Sequence, residues 1–305
     1  MGVSRLLRLY GISRSTFYGW DEAPFPKAPT RHNVLTVLPE EERAVVEFRQ
    51  HHREIGYRKL TWLMNDADVA ALSEPSVDKV LSKHNLLGPW QNQSAQPAQK
   101  EYQHKPTRVH EHWHTDIAYV KVKGVFYFLI MLLDGYSRYV LAWDLMTDML
   151  HSTVEDFVQR ARQKYPHGHP KLIHDNGSQF ISRDFKILVS NLGIQQIFTR
   201  RNHPQTNGKS ERLNGTVRQE ALRIFCPGSY QEAWAIIESF VRAYNHQRLH
   251  AGIKYLRPAD LFEGRAELIL QKRRTRLQAA RAVRAETNRL NFMKQREEDH
   301  SKFLN

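Results

Sequence analysis

The chain has 305 residues, 41% hydrophobic and 10% aromatic, a content that supports packed cores and excludes a disordered or fibrous chain. Its 45 Lys and Arg against 32 Asp and Glu leave a net charge of +13, the balance of a protein that meets a polyanion, most often nucleic acid. The single cysteine, Cys226, excludes an intrachain disulfide and a thiolate zinc site, and with no apolar run near the ~20 residues of a membrane helix and no signal core after Met1, the expected place is the cytoplasm, with no membrane partner.

Residues 1–23 read as a partial helix-turn-helix. Leu6, Leu7 and Leu9 supply apolar positions, Gly11 a turn and Ser13 an N-cap. Arg14 and Thr16 then stand at a helix start, where base edges would be met, and are candidate DNA contacts on that geometry alone. The first helix begins abruptly at Met1, as if partway through a domain. Residues 24–39, with Pro24, Pro26 and Pro29, have linker chemistry.

Helical periodicity returns over Glu40–His52, Tyr57–Asp66 and Pro75–His84, giving a small all-α helix-turn-helix region at 40–90. Arg58 and Lys59 are its candidate phosphate or base contacts; a structural bundle with solvated charges is the competing reading. Residues 91–107, rich in Gln, Ser and Pro, read as a second linker.

Residues 108–262 carry the clearest pattern. Thr115–Val122 alternates as a strand, Lys123-Gly124 turns, and Val125–Leu133 reads as a buried strand. Asp134-Gly135 turns into a third strand over Tyr139–Leu145. An amphipathic helix over Thr153–Lys164 precedes a short strand, Lys171–His174, which runs into Asp175-Asn176-Gly177. A helix over Asp184–Leu192, a strand over Gln195–Phe198 and a long helix from about Asn207 complete a mixed, five-stranded α/β sheet with helices on both faces. A helix over Tyr230–Asn245 packs back, and residues 263–305 form a basic helical tail.

Three acids stand out in this frame. Asp116 sits in the first strand, Asp175 follows the fourth, and Glu211 lies in the first turns of the long helix, 36 positions after Asp175. Each alone has an ordinary reading: a solvent-facing strand Asp, a turn residue, and an acid favoured by the helix dipole. The topology brings both strand ends and the helix to one corner, where three like charges require a cation. Hard oxygen ligands suit Mg²⁺ or Mn²⁺. Asn207, Glu211 and Arg218 share a helix face, Lys209 and Arg212 flank them, and Arg200, Arg201 and His203 precede them. That cluster would steer DNA to the metals, unless it is only a solvated basic helix.

Four motifs, Trp113-His-Thr-Asp116, Leu133-Asp-Gly-Tyr-Ser-Arg138, His174-Asp175-Asn-Gly-Ser-Gln-Phe and His203-Pro-Gln-Thr-Asn-Gly-Lys-Ser-Glu211-Arg-Leu-Asn, together resemble the DDE integrase core of retroviral integrases and bacterial insertion-sequence transposases. Tyr244-Asn-His-Gln-Arg248-Leu-His250 resembles the element that closes this core in the transposases. The resemblance implies an RNase H-like fold and two divalent ions held by Asp116, Asp175 and Glu211. It implies cleavage and strand transfer at the ends of a mobile element by direct transesterification. Double-stranded DNA, both element ends and target, is the implied partner, bound by a homodimer or larger assembly. The start at Met1 fits the downstream product of two overlapping frames, acting with or fused to an upstream protein. A nuclease that does not join, or a DNA-binding accessory or repressor product, are the alternatives on the same fold.

Overall fold

The structure, a computed structural model, describes Leu7 and residues 33–87, 105–198 and 208–303. Arg14, Thr16, Arg200, Arg201 and Asn207 lie outside the described residues, as does the expected turn of residues 1–23. The chain divides into two compact units, Met1–Leu87 with Arg273–Asn305, and Gly88–Lys272.

The first unit holds α1 (Pro39–His51), α2 (Tyr57–Asp66) and α3 (Glu74–Lys83), within a residue or two of the predicted helices. Local chemistry fixes their starts. Pro39 occupies the first turn of α1, where no amide hydrogen is needed, and the Glu41 carboxylate accepts the Leu38 amide at 3.1 Å. Ser73 caps α3 by accepting the Ser76 amide at 3.3 Å. Val45, Leu60, Met64, Leu72, Val77 and Leu81 form the core among these helices.

The second unit is built on β1 (His112–Val122), β2 (Val125–Asp134), β3 (Val140–Met146), α4 (His151–Lys164), β4 (Lys171–His174), α5 (Arg183–Asn191) and β5 (Gln195–Phe198). The strands form one sheet in the order β3-β2-β1-β4-β5. The β1–β2 and β2–β3 pairs are antiparallel and the β1–β4 and β4–β5 pairs parallel. This is the mixed five-stranded sheet expected from the meander followed by alternating helix and strand. After it come α6 (Gly208–Val217), α7 (Tyr230–His246) and α8 (Ala266–Phe303).

From Leu129 to Leu133 β2 is an unbroken apolar run because both its faces are covered there. Ile130 and Leu132 pack with Trp113, Val154, Phe157 and Phe185 on one side of the sheet. Leu129, Met131 and Leu133 pack with Leu213, Val217, Ile237 and Tyr244 on the other. The face on which each β1 residue falls follows from that alternation.

The long helix expected from Asn207 is described from Gly208, and it is not uniform. Its α-helical part ends at Val217, a π-helical turn spans Arg218–Leu222, and one last turn reaches Phe225. Cys226, at φ 44°, takes the left-handed conformation that ends it. Residues 266–272 of α8 belong to the sheet unit and the rest to the helical unit. Among the described residues no helix is long and apolar enough to cross a membrane.

Candidate active site

The positions of the three acids follow from strand parity and register. On β1, Ala118, Val120 and Val122 point into the core shared with Leu213 and Val217 of α6. Asp116 has the same parity, so its carboxylate emerges on the face that α6 covers. The parallel β1–β4 register ends with His114 opposite Ile173, and Asp116 and Asp175 each follow two residues further along their chains. Asp175 stands close enough to act on the Asp116 carboxyl. Glu211 approaches from the first turn of α6.

The electrostatics report the same grouping. Burial and the neighbouring carboxylate of Asp175 push the Asp116 carboxyl up to about 6, with a smaller push in the same direction from Glu211. Two hydrogen bonds oppose it. The Ile117 amide donates to Oδ1 at 3.0 Å, and the Asn214 side-chain amide donates to Oδ2 at 2.9 Å. Asp175 and Glu211 are exposed, and Asp175 Oδ1 accepts the Gly177 amide at 3.1 Å, an Asx turn that fixes the loop after β4.

Behind Asp175 stands a supporting set. His174 is fully buried, stacked on Phe180 with ring centroids 4.7 Å apart. Burial holds its imidazole below the usual range, so it stays neutral. Gln196 donates to His174 Nε2 at 2.8 Å and to the Phe180 carbonyl at 2.7 Å. The opposite ring nitrogen, Nδ1, then carries the proton and donates to the Asp175 carbonyl. On the β1 side, His112 and His114 are buried on the same face as Asp116, and Gly135 is packed against them. A Cβ at 135 would meet His114 Nε2 at 2.9 Å, so only glycine fits.

Asn214, 8% exposed, was not among the residues singled out by sequence. It lies three positions after Glu211, one turn along the same helix, and that spacing is the signal that finds it. Arg212 and Arg218 are exposed on α6 and its π turn, and Lys209 Nζ donates to the Gly135 carbonyl at 3.3 Å. In the helical unit Arg58 is exposed at the start of α2, with Nε 3.7 Å from Glu74, and Lys59 is half-buried. Two further acids of this unit are held by local structure. Asp134 is fully buried and accepts the His110 and Ser137 amides and the Ser137 hydroxyl, and Asp184 sits in the first turn of α5 behind the Ser182 cap.

The acids fit divalent metal by chemistry: a half-buried carboxylate pushed up by two neighbours is relieved by a cation. Among the described residues no three His, Cys, Asp or Glu side chains are gathered around one ion-sized point. Asp116 is the acid that feels both of the others, Asp175 more strongly than Glu211.

The chain is similar to several known proteins. The putative transposase InsK for insertion sequence element IS150 of Escherichia coli K12 is 24% identical over 268 residues, 85% of this chain and 92% of that protein. The putative transposase for insertion sequence element IS986/IS6110 of Mycobacterium tuberculosis is 25% identical over 230 residues, 68% of this chain and 80% of that protein. Among solved structures, a chain of the simian T-cell lymphotropic virus intasome in complex with PP2A regulatory subunit B56 gamma is similar at a TM-score of 0.49 and 16% identity, over 72% of this chain and 74% of that one. The HTLV-2 integrase catalytic core domain in complex with magnesium gives 0.43 and 18%, over 51% of this chain and 98% of that one. Two models of the integrase core domain match residues 106–204 and 192–258, together half of the chain, and the chain belongs to the integrase core family.

Proposed function

We propose that the protein is a transposase that cuts and joins the DNA ends of an insertion sequence, with Asp116, Asp175 and Glu211 as its catalytic, metal-holding carboxylates. The observation that carries this reading is the position of Asp116. It follows the last β1–β4 pairing by two residues, as Asp175 does on its own chain, faces the helix that bears Glu211, and is raised to about 6 by its surroundings, Asp175 among them. A DNA-binding accessory protein has no use for such a cluster.

Two bound divalent ions, Mg²⁺ or Mn²⁺, would supply Lewis acidity to the attacking and leaving oxygens of a phosphodiester. The chain's own residues do the rest. Asn214 and the Ile117 amide hold both oxygens of Asp116, and the Asx turn and the His174–Gln196 relay hold the Asp175 loop. That fixes the spacing of the acids before substrate arrives, as positional catalysis requires. Arg218, exposed seven positions after Glu211, is placed to bind the phosphate backbone, with Lys209 and Arg212 beside it. Arg200, Arg201 and Asn207 are proposed to lead DNA into this cluster, and Arg14, Thr16, Arg58 and Lys59 to hold flanking duplex. Joining two ends calls for a homodimer or larger assembly on DNA, with an upstream-frame protein as a possible partner in the bacterial cytoplasm and on the nucleoid.

The test is joining of pre-cut 3′-hydroxyl element ends to a target duplex in Mg²⁺. Asp116→Asn, Asp175→Asn and Glu211→Gln are each expected to abolish it while DNA binding persists. Full joining by any of the three overturns the assignment. Cleavage without joining by the parent protein makes it a nuclease, and metal-free binding with no cleavage makes it a repressor.

A further inference from the structure

Beside the acids lies a groove of about 680 Å³, open to solvent, formed by residues 105–109, Gly135–Arg138, Lys209 and 252–270. Lys105, Arg108, Arg138, Lys209 and Lys254 line it against one acid, Glu267. It adjoins the candidate site through two residues. Gly135 is packed on His114, two positions before Asp116, and Lys209, two positions before Glu211, donates to the Gly135 carbonyl. Ile253, Leu261 and Phe262 give the groove an apolar part as well.

Two of the cationic residues occupy backbone that favours glycine. Arg138 has φ 65° in the β2–β3 turn. Lys254 has φ 59° where it closes the 3₁₀ turn Ala251–Ile253, the left-handed cap position at which glycine is the usual choice. Neither site selects a long cation for local stability. Strained positions that converge on one concavity mark a functional surface.

We infer that this groove is a binding site for one sugar-phosphate strand of DNA, which enters the site of the three acids along it. Cations spaced along a wall match a polyanion, and the apolar part suits deoxyribose. The volume lies within the roughly 300–1,000 Å³ typical of ligand sites, room for a short run of one strand but not a duplex. This inference rests on the proposed function and names the surface by which that function holds its substrate.

The experiment measures the salt dependence of DNA binding by the full chain in EDTA. The probes are a linear duplex of arbitrary sequence and a closed relaxed circle of the same composition. Each lost phosphate contact makes the log–log slope shallower by about 0.9. The Arg108→Gln/Lys254→Gln double variant is expected to be shallower by about 1–2 on at least one probe. A change on the linear probe alone assigns the groove to a strand at a DNA end, and a change on both assigns it to one strand along an uninterrupted duplex. Lys121→Gln, at the far end of β1, is expected to leave the slope unchanged. Lys254→Gly is expected to keep or raise the thermal midpoint while still making the slope shallower. An unchanged slope in the double variant on both probes overturns the inference and leaves an acidic protein segment as the groove's occupant. An equal change from Lys121→Gln also overturns it. Failure of the acid trio reads out separately: joining retained by Asp116→Asn sinks the proposed function and leaves the binding result intact.

Discussion

At Asp116 burial and chemistry pull in opposite directions. Its folded carboxyl is raised to about 6 from an ordinary value of 3.8, so the folded protein binds that proton more tightly than the unfolded chain does. The sign follows directly: the charged form costs stability above pH 6, and the cost disappears as pH falls through 6 towards 3.8. In EDTA at pH 7.5, Asp116→Asn is therefore expected to stabilise the protein, by on the order of 1–3 kcal/mol. That gain should vanish near pH 4, and Mn²⁺ should raise the midpoint of the parent but not of the variant. Thermal unfolding at the two pH values, with and without Mn²⁺, checks all three. Asn214 gives a second expectation. Removing its donor by Asn214→Ala raises the Asp116 carboxyl further and should lower strand transfer about 10-fold or more, with DNA affinity unchanged. Asn214→Asp, which adds a fourth carboxylate, should be worse. The three acids each sit in a recognisable local context in the sequence. Asn214 was not, since a buried side chain that touches an acid 98 positions away leaves no trace but its helical spacing.

Elements were legible where local periodicity decides them. Helices α1 to α5 and all five strands fall within a few residues of expectation, because each buries a single stripe or alternates across a sheet. The π turn at Arg218–Leu222 was not foreseen. It depends on tertiary partners: Ala221 is buried, and the next residue back, Glu220, meets the Arg248 guanidinium with two hydrogen bonds of 2.6 and 2.9 Å. Arg248 also lies over the Tyr244 ring, 5.7 Å from its centroid. The fork and the stacked face both require a planar cation. Arg248→Lys is accordingly expected to cost about 1 kcal/mol in urea unfolding, the modest size reflecting a Glu220 side chain that is 46% exposed. A loss of strand transfer far beyond that of stability would show that the π turn also sets Arg218.

For the whole molecule, bulk charge misleads as much as it informs. A net charge of +13 suggests a polyanionic partner, yet Arg273 and Arg284 of the basic tail are used inside the protein. The α8 side chain Arg273, 3% exposed, forms a two-pronged pair with Asp66 at 2.7 Å and lies over the Trp62 ring, 4.9 Å from its centroid. Arg284 meets Glu41 at 2.6 Å and the Ala71 carbonyl at 3.1 Å, and Asn288 donates to the Val34 and Thr36 carbonyls. Periodicity showed that the tail is helical but could not show that it completes the unit of α1–α3, because these contacts span more than 200 residues of sequence. Histidine burial adds a pH limit to the other unit. His110, His112 and His114 are all held below their usual range, chiefly by burial, so the unfolded chain binds protons more readily. Their contribution is present above 6.5 and lost as pH falls below it, opposite in sign to Asp116. With these three and the likewise depressed His174 against one carboxyl, urea midpoints are expected to fall between pH 7.5 and 5.5.

The packing of α8 makes the strongest expectation at this scale. Removing Arg273 leaves Asp66 without its partner and Trp62 without its cation, in surroundings where the arginine is almost wholly excluded from water. Breaking such a pair from one side typically costs about 3–5 kcal/mol; Asp66, 20% exposed, recovers some hydration, so Arg273→Ala should cost on the order of 3 kcal/mol. Ending the chain after Lys272 removes Arg273, Arg284 and Asn288 together. Residues 33–87 should then be cut by protease under conditions in which residues 105–262 still resist, because the sheet's two cores include no side chain beyond Phe262. The full chain should protect both segments. If the shortened chain protects residues 33–87 as well as the full chain does, the three helices stand on their own core and the tail's arginines are free to be read as DNA contacts after all.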